Sequence, residues 1–212
     1  MKNPKILLYG PIMAIGIIAS FYLYESFVAG AQANTTKETI IEKIVYLPQD
    51  NTPILKEALR ELKPSLDQVI LDAILINTVE CAKEFTLPKT LILAIIERES
   101  KFNPLAMSSK GAAGLMQVML KVHQDKVKKL GINNAQAMHI ANNIRLGCTI
   151  LKEYLDSTKD IKRALKKYVG GAHATYYTDV LSWYTTINML ILEKQNIEKN
   201  SEKDLEKIQN EQ

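Results

Sequence analysis

From Asp67 to Leu192 the apolar residues recur at the spacing of a helix face, and nowhere do they alternate one by one over the length of a strand. That regularity restricts the body of the chain to an all-helical or mostly helical fold, since a strand would need a period of two and a helix needs one near 3.6. Val69, Ile70, Ala73, Ile74 and Ile76 open one helix, and Pro88 breaks the chain before a second from about Lys89 to Ser100. Ile140, Ile144, Leu151 and Leu155 line a third. Ile161, Ala164, Leu165 and Tyr168 line a fourth, which Gly170-Gly171 stops. The last is expected from about Ala174 to Leu192, with Val180, Leu181, Tyr184, Ile187 and Ile191 turned inward. There is no internal repeat.

The flanks differ from this body. Ile6 to Tyr24 holds no charged residue, Lys2 and Lys5 precede it and Glu25 closes it, so residues 1–33 read as a membrane anchor or a signal segment. Ala31-Gln32-Ala33 has the form of a signal cleavage site, while the apolar run exceeds the roughly 7–15 residues of a signal's central region, which favours an uncleaved anchor. With the two lysines held in the cytoplasm, either reading puts everything after Asn34 outside it, in the cell envelope. Residues 34–66, polar and interrupted by Pro48, Pro53 and Pro64, read as a stalk or linker that carries short helices at most. Residues 193–212 are almost entirely Lys, Glu, Asn and Gln and read as a solvated, fraying tail.

Charge and cysteine usage exclude several functions. The net charge of +4 comes from lysines interleaved with glutamates, a solvated surface rather than a nucleic-acid stripe. Cys81 and Cys148 each fall on an inward helical face, where a disulfide and two buried free thiols are both permitted. No cysteine or histidine pair has ligand spacing, and His123, His139 and His173 are scattered, so neither a metal nor another cofactor is expected.

Two segments carry the chemistry. In "LILAIIERESKFNP", Leu91 to Pro104, an apolar helix ends in Glu97, Arg98 and Glu99, although a helix's carboxyl end disfavours carboxylates. Leu91, Leu93, Ile95 and Ile96 bury this helix, and Phe102 with the Pro104 turn can close apolar material over Glu99. A carboxyl so placed prefers its proton, as a general acid must near neutral pH. The segment alone favours an ordinary pairing of Glu99 with Arg98 or a nearby lysine at the helix end. "SSKGAAGLMQVM", Ser108 to Met119, combines glycines that let backbone approach a ligand with a hydroxyl, an amide and methionines.

Read together, "ESKFNPLAMSSKGAAGLMQVM" resembles the signature of the soluble lytic murein transglycosylases, lysozyme-like SLT domain enzymes that cleave bacterial peptidoglycan. "NIRLGCTILKEYL" and "ALKKYVGGAH" resemble the family's later helices in the right order, so the likeness covers about Leu75 to Tyr184 and leaves the flanks untouched. The resemblance implies a lysozyme-like helical domain over residues 67–192, with Glu99 as its catalytic acid. It implies that Ser108, Gln117 and Met119 line a sugar cleft and that Tyr168 faces the glutamate; Glu97 and Arg98 match no catalytic position. Val169 and Gly170 depart from the family's Asn and Ala after the tyrosine, and Leu120 and Val122 replace its Pro and Thr.

The implied reaction cuts the bond between N-acetylmuramic acid and N-acetylglucosamine without water, leaving a 1,6-anhydro end. Two alternatives stay open: a muramidase-type hydrolase on the same fold, and a non-enzymatic wall-binding scaffold. The implied partners are peptidoglycan strands, a membrane through residues 6–24, and an envelope-spanning secretion, conjugation or phage apparatus; nucleic acid is not among them.

Overall fold

The computed structural model describes residues 51–171 and 173–210. The expected membrane segment at 6–24 and the first part of the expected linker lie outside them. Among the described residues no helix is long and apolar enough to cross a membrane.

Among the described residues there are seven α-helices: α1 (Thr52–Leu62), α2 (Gln68–Phe85), α3 (Lys89–Ser100), α4 (Gln124–Lys129), α5 (Ile140–Thr158), α6 (Ile161–Tyr168) and α7 (Tyr176–Asn210). A 3-10 turn, Gln136–Met138, precedes α5, and two short strands, β1 (Ala112–Ala113) and β2 (Val118–Met119), pair antiparallel with Ala112 opposite Met119. A one-turn signature loop thus contains the chain's only described sheet, too short for any alternation to announce it.

Helix α3 is the axis. Leu91 through Ile96 are all buried, and a helix apolar on every side must be covered on every side. It packs chiefly against α7 and also against α2, while α5 packs on α2 and α6. Asp67 starts α2 by accepting from the amides of Val69 and Ile70, which satisfies two of the donors that a helix start leaves open. Cys81 on α2 and Cys148 on α5 meet across that interface as buried free thiols, hydrogen-bonded to each other.

The body extends beyond both expected boundaries. Residues 52–62, expected within a linker, form α1, whose Leu55, Ala58 and Leu59 lie in the core. The prolines bracket this helix instead of breaking it: Pro53 sits in its first turn, where a missing N–H costs nothing, and Pro64 follows its end. Among the described residues, core packing thus includes α1, ahead of Asp67. At the other end α7 continues past Leu192 to Asn210, and Lys194 reaches back to Glu57 and Glu61 of α1 at 3.5 and 3.0 Å.

Candidate active site

The charges that end α3 each meet a group from another element. Glu97 is 5% exposed and pairs with Lys63, just past α1, at 2.6 Å. Arg98 pairs with Asp179 of α7 at 3.0 Å. Glu99 accepts a hydrogen bond from the Tyr176 hydroxyl, at the start of α7, with Oη to Oε1 at 2.5 Å. Tertiary partners, not helix stability, explain why carboxylates occupy a helix's carboxyl end.

The chain then reverses sharply. Lys101 and Phe102 both adopt left-handed backbone, with φ of 53° and 63°, and the Lys101 amide returns to the Glu97 carbonyl. Such a conformation costs about 1 kcal/mol or more per non-glycine residue. Swinging the Phe102 ring back into the core, where it is 2% exposed, offsets this by roughly 1.5–3 kcal/mol. Burial raises the Glu99 carboxyl above the ordinary glutamate range, while the Tyr176 hydrogen bond and the Arg98 charge oppose the rise without cancelling it.

The second segment folds as a braced loop. Ser108 Oγ accepts from the Ala112 amide, while the Ser108 and Ala112 backbones exchange a further bond, so this hydroxyl shapes the turn. Ala112 in turn pairs with Met119, which is partly buried. The Gln117 amide nitrogen donates to the carbonyls of Ala106 and Gly114, from a residue itself at φ 47°. Beneath the loop lies Asn143 of α5, fully buried: its Oδ1 accepts from Met116 N, and its Nδ2 donates to the Ala113 and Ala137 carbonyls. Gly114 is obligatory above it, because a Cβ there would stand 2.3 Å from Asn143 Nδ2 at a φ of 76°.

Tyr168 stands close enough to the acid for the Glu99 charge to act on its phenol. Its hydroxyl donates to the Met116 carbonyl at 2.9 Å, which ties α6 to the braced loop. Burial, and then the Glu99 charge, raise its phenol well above the ordinary tyrosine value. The hydroxyl hydrogen-bonded to Glu99 is that of Tyr176, eight residues past Tyr168. Burial likewise raises the Tyr176 phenol, which stays a donor throughout the physiological range. Arg98 stacks over the Tyr176 ring, its Cζ 5.6 Å from the centroid.

Ser108, Gln117 and Met119 therefore belong to one hydrogen-bonded loop, which Tyr168 connects through Met116 to the neighbourhood of Glu99. A cavity of about 330 Å³ is lined by residues of α6, of the following turn and of the start of α7, Tyr176 among them, and not by these three. Sequence reasoning missed Asn143 and Tyr176. The first stood inside "NIRLGCTILKEYL" as a polar residue on an otherwise apolar helical face. The second opened a helix directly after Gly170-Gly171.

Residues 77–178 match the family model of the Transglycosylase SLT domain. A transglycosylase of Enterobacteria phage PRD1 is 36% identical over 90 residues, 42% of this chain and 32% of that protein. Membrane-bound lytic murein transglycosylase C of Haemophilus ducreyi is 35% identical over 125 residues, 51% of this chain and 34% of its own length. The chain thus spans about a third of the length of these curated relatives. Among solved structures, an inactive mutant of lytic transglycosylase Slt from Pseudomonas aeruginosa aligns over 54% of this chain and 22% of its own, with a TM-score of 0.42 and 26% identity. The helical segment from residue 77 to residue 178 belongs to the transglycosylase SLT domain family.

Proposed function

We propose that the chain is a peptidoglycan lytic transglycosylase in which Glu99 is the only protein group that exchanges protons with the substrate. The observation that carries this reading is the carboxyl at the end of the buried α3, held toward its protonated form by burial and gripped on one oxygen by Tyr176. Because Oε1 accepts the phenol's hydrogen, the acid's own proton resides on Oε2, which fixes the direction in which it can be delivered.

The reaction balances with that one group. Neutral Glu99 gives its proton to the glycosidic oxygen between N-acetylmuramic acid and N-acetylglucosamine as the bond from that oxygen to the muramyl C1 breaks. The resulting carboxylate takes the proton of the muramyl 6-hydroxyl as its oxygen bonds to C1. Glu99 ends protonated, the product is a 1,6-anhydro sugar, and no water enters. A hydrolase of the usual kind would need a second carboxylate beside the bond. Two acidic side chains at this helix end already carry structural pairings, Glu97 with Lys63 and Asp179 with Arg98, which supports a mechanism that uses neither.

In this reading the loop from Ser108 to Met119 borders the bound glycan, Gln117 and Ser108 hold its shape, and Tyr168 keeps it in register with Glu99. The name of one relative, membrane-bound lytic murein transglycosylase C, supports a location in the cell envelope. Residues 6–24 would tether it to a membrane, beside whatever envelope apparatus needs a local opening in the wall.

Mass spectrometry of muropeptides released from purified peptidoglycan tests the proposal. Anhydro-muramyl products are expected, with a loss of at least about a hundredfold in Glu99→Gln. Reducing-end products would replace this reading with hydrolysis, and strand binding without release would replace it with a scaffold.

A further inference from the structure

The cavity of about 330 Å³ beside the acid is built largely from cations and rings: Lys162 and Lys166 of α6, His173 of the turn, and Tyr176 and Tyr177 of α7, with Gly171 at its mouth. Tyr176 joins it to the site already described, since the ring that lines the cavity carries the hydroxyl bound to Glu99. Whatever fills this space lies within one tyrosine of the reacting bond.

The charge arrangement is not explained by folding. Lys162 and Lys166 are four residues apart, on one face of α6, where like charges repel. Lys162 also sits in the first turn, the end of a helix that disfavours a cation, and the acidic residue at that end, the N-cap Asp160, accepts from the Arg163 amide. Its ammonium stands 5.7 Å from the Tyr177 ring centroid, a contact that steadies the cation without neutralising it. Gly171, at φ 150°, has nothing within 4 Å of where a Cβ would be. Two lysines, a histidine and two tyrosine rings around one cavity suit a carboxylate carried on an extended, partly apolar chain.

The substrate of the proposed reaction supplies such a group at this position. Muramyl residues carry a short peptide with free carboxylates, amide-linked to the carboxyl of the lactyl ether at C3, and the bond to be cut is at C1 of the same sugar. We propose that the cavity receives a carboxylate of the peptide stem on the muramyl residue at the scissile bond, held by Lys162 and Lys166 against the Tyr176 and Tyr177 rings. This rests on the reading of the chain as a wall-cleaving enzyme, and it makes the enzyme selective for strands that still bear peptides.

The test compares the full chain with its K162Q/K166Q variant on intact peptidoglycan and on the same material stripped of peptides by an amidase. A drop in kcat/KM of about fivefold confined to the intact wall is expected, the size of two partly exposed charge-assisted contacts. Equal losses on both substrates, or no loss on either, overturns the proposal. A titration with free stem tetrapeptide, followed by nuclear magnetic resonance, separates this result from the function itself. If the wild-type chain cuts neither wall, the catalytic reading falls. Saturable tetrapeptide binding that is lost in K162Q/K166Q then upholds the cavity's role, and no saturable binding, or binding unchanged in the variant, overturns it.

Discussion

Burial and the Tyr176 hydroxyl act on the Glu99 carboxyl in opposite directions, and each effect has its own experimental signature. The phenol's hydrogen bond favours the ionised form, so Tyr176→Phe removes a force that lowers the carboxyl's pKa and leaves desolvation less opposed. A general acid works while it holds its proton, and activity falls as pH rises through its pKa. The alkaline limb of the kcat/KM profile is therefore expected to move to higher pH in Tyr176→Phe, and a limb that stays in place would show that another group sets it. Stability gives the second signature. A carboxyl whose pKa is raised on folding favours the folded state below its unfolded pKa, and that advantage is lost as pH rises through the folded pKa. Glu99→Gln cannot ionise, so its melting temperature relative to wild type is expected to rise between acidic and mildly alkaline pH. An offset independent of pH would mean that Glu99 is not held in its raised state.

At the level of elements, the signature loop is less a ligand surface than a shell drawn over Asn143. That side chain satisfies Met116 N and the carbonyls of Ala113 and Ala137, all from one buried position. Asn143→Ala strands these groups in the interior, and a loss of about 3 kcal/mol in urea unfolding is expected, against less than about 1 kcal/mol for a surface asparagine. Gly147 sets the same packing on the next turn, since a Cβ there would meet Met116 Sδ at 2.3 Å. Long helices were legible because their apolar faces repeat several times: α3 spans Lys89–Ser100 and α6 spans Ile161–Tyr168, as the periodicity predicts. The small hairpin and the brace under it were not, because a two-residue strand has no period to read and one asparagine's bonding is decided by three segments distant in sequence. Glu99 was legible from its burial context, but its partner was not. Tyr168 lies on an apolar stripe, whereas Tyr176 opens a helix after Gly-Gly-Ala-His-Ala-Thr, with no stripe before it to mark it.

Across the whole molecule, the segment least legible in the sequence is one of those the core depends on. Prolines at 53 and 64 and a polar composition suggested a stalk, yet α1 buries Leu55 and Leu59 completely or nearly so, and it delivers Lys63 to Glu97. Lys63 also lies over the rings of Phe102 and Trp183, at 5.9 and 4.9 Å, so the α1 end is packed against the turn that follows the acid. Removing a buried leucine costs about 2–5 kcal/mol, and leaving Glu97 buried without its cation adds a further penalty of about 3 kcal/mol or more. Those losses together rival the roughly 5–15 kcal/mol by which a domain of this size is stable. A fragment of residues 67–212, cut where composition alone would place the domain boundary, is therefore expected to lack a cooperative thermal transition and fixed near-ultraviolet dichroism, while residues 47–212 keep both. If the shorter fragment melts cooperatively within a few degrees of the longer one, α1 is an accessory to the core, and the Lys63–Glu97 pair exchanges for solvent at little cost.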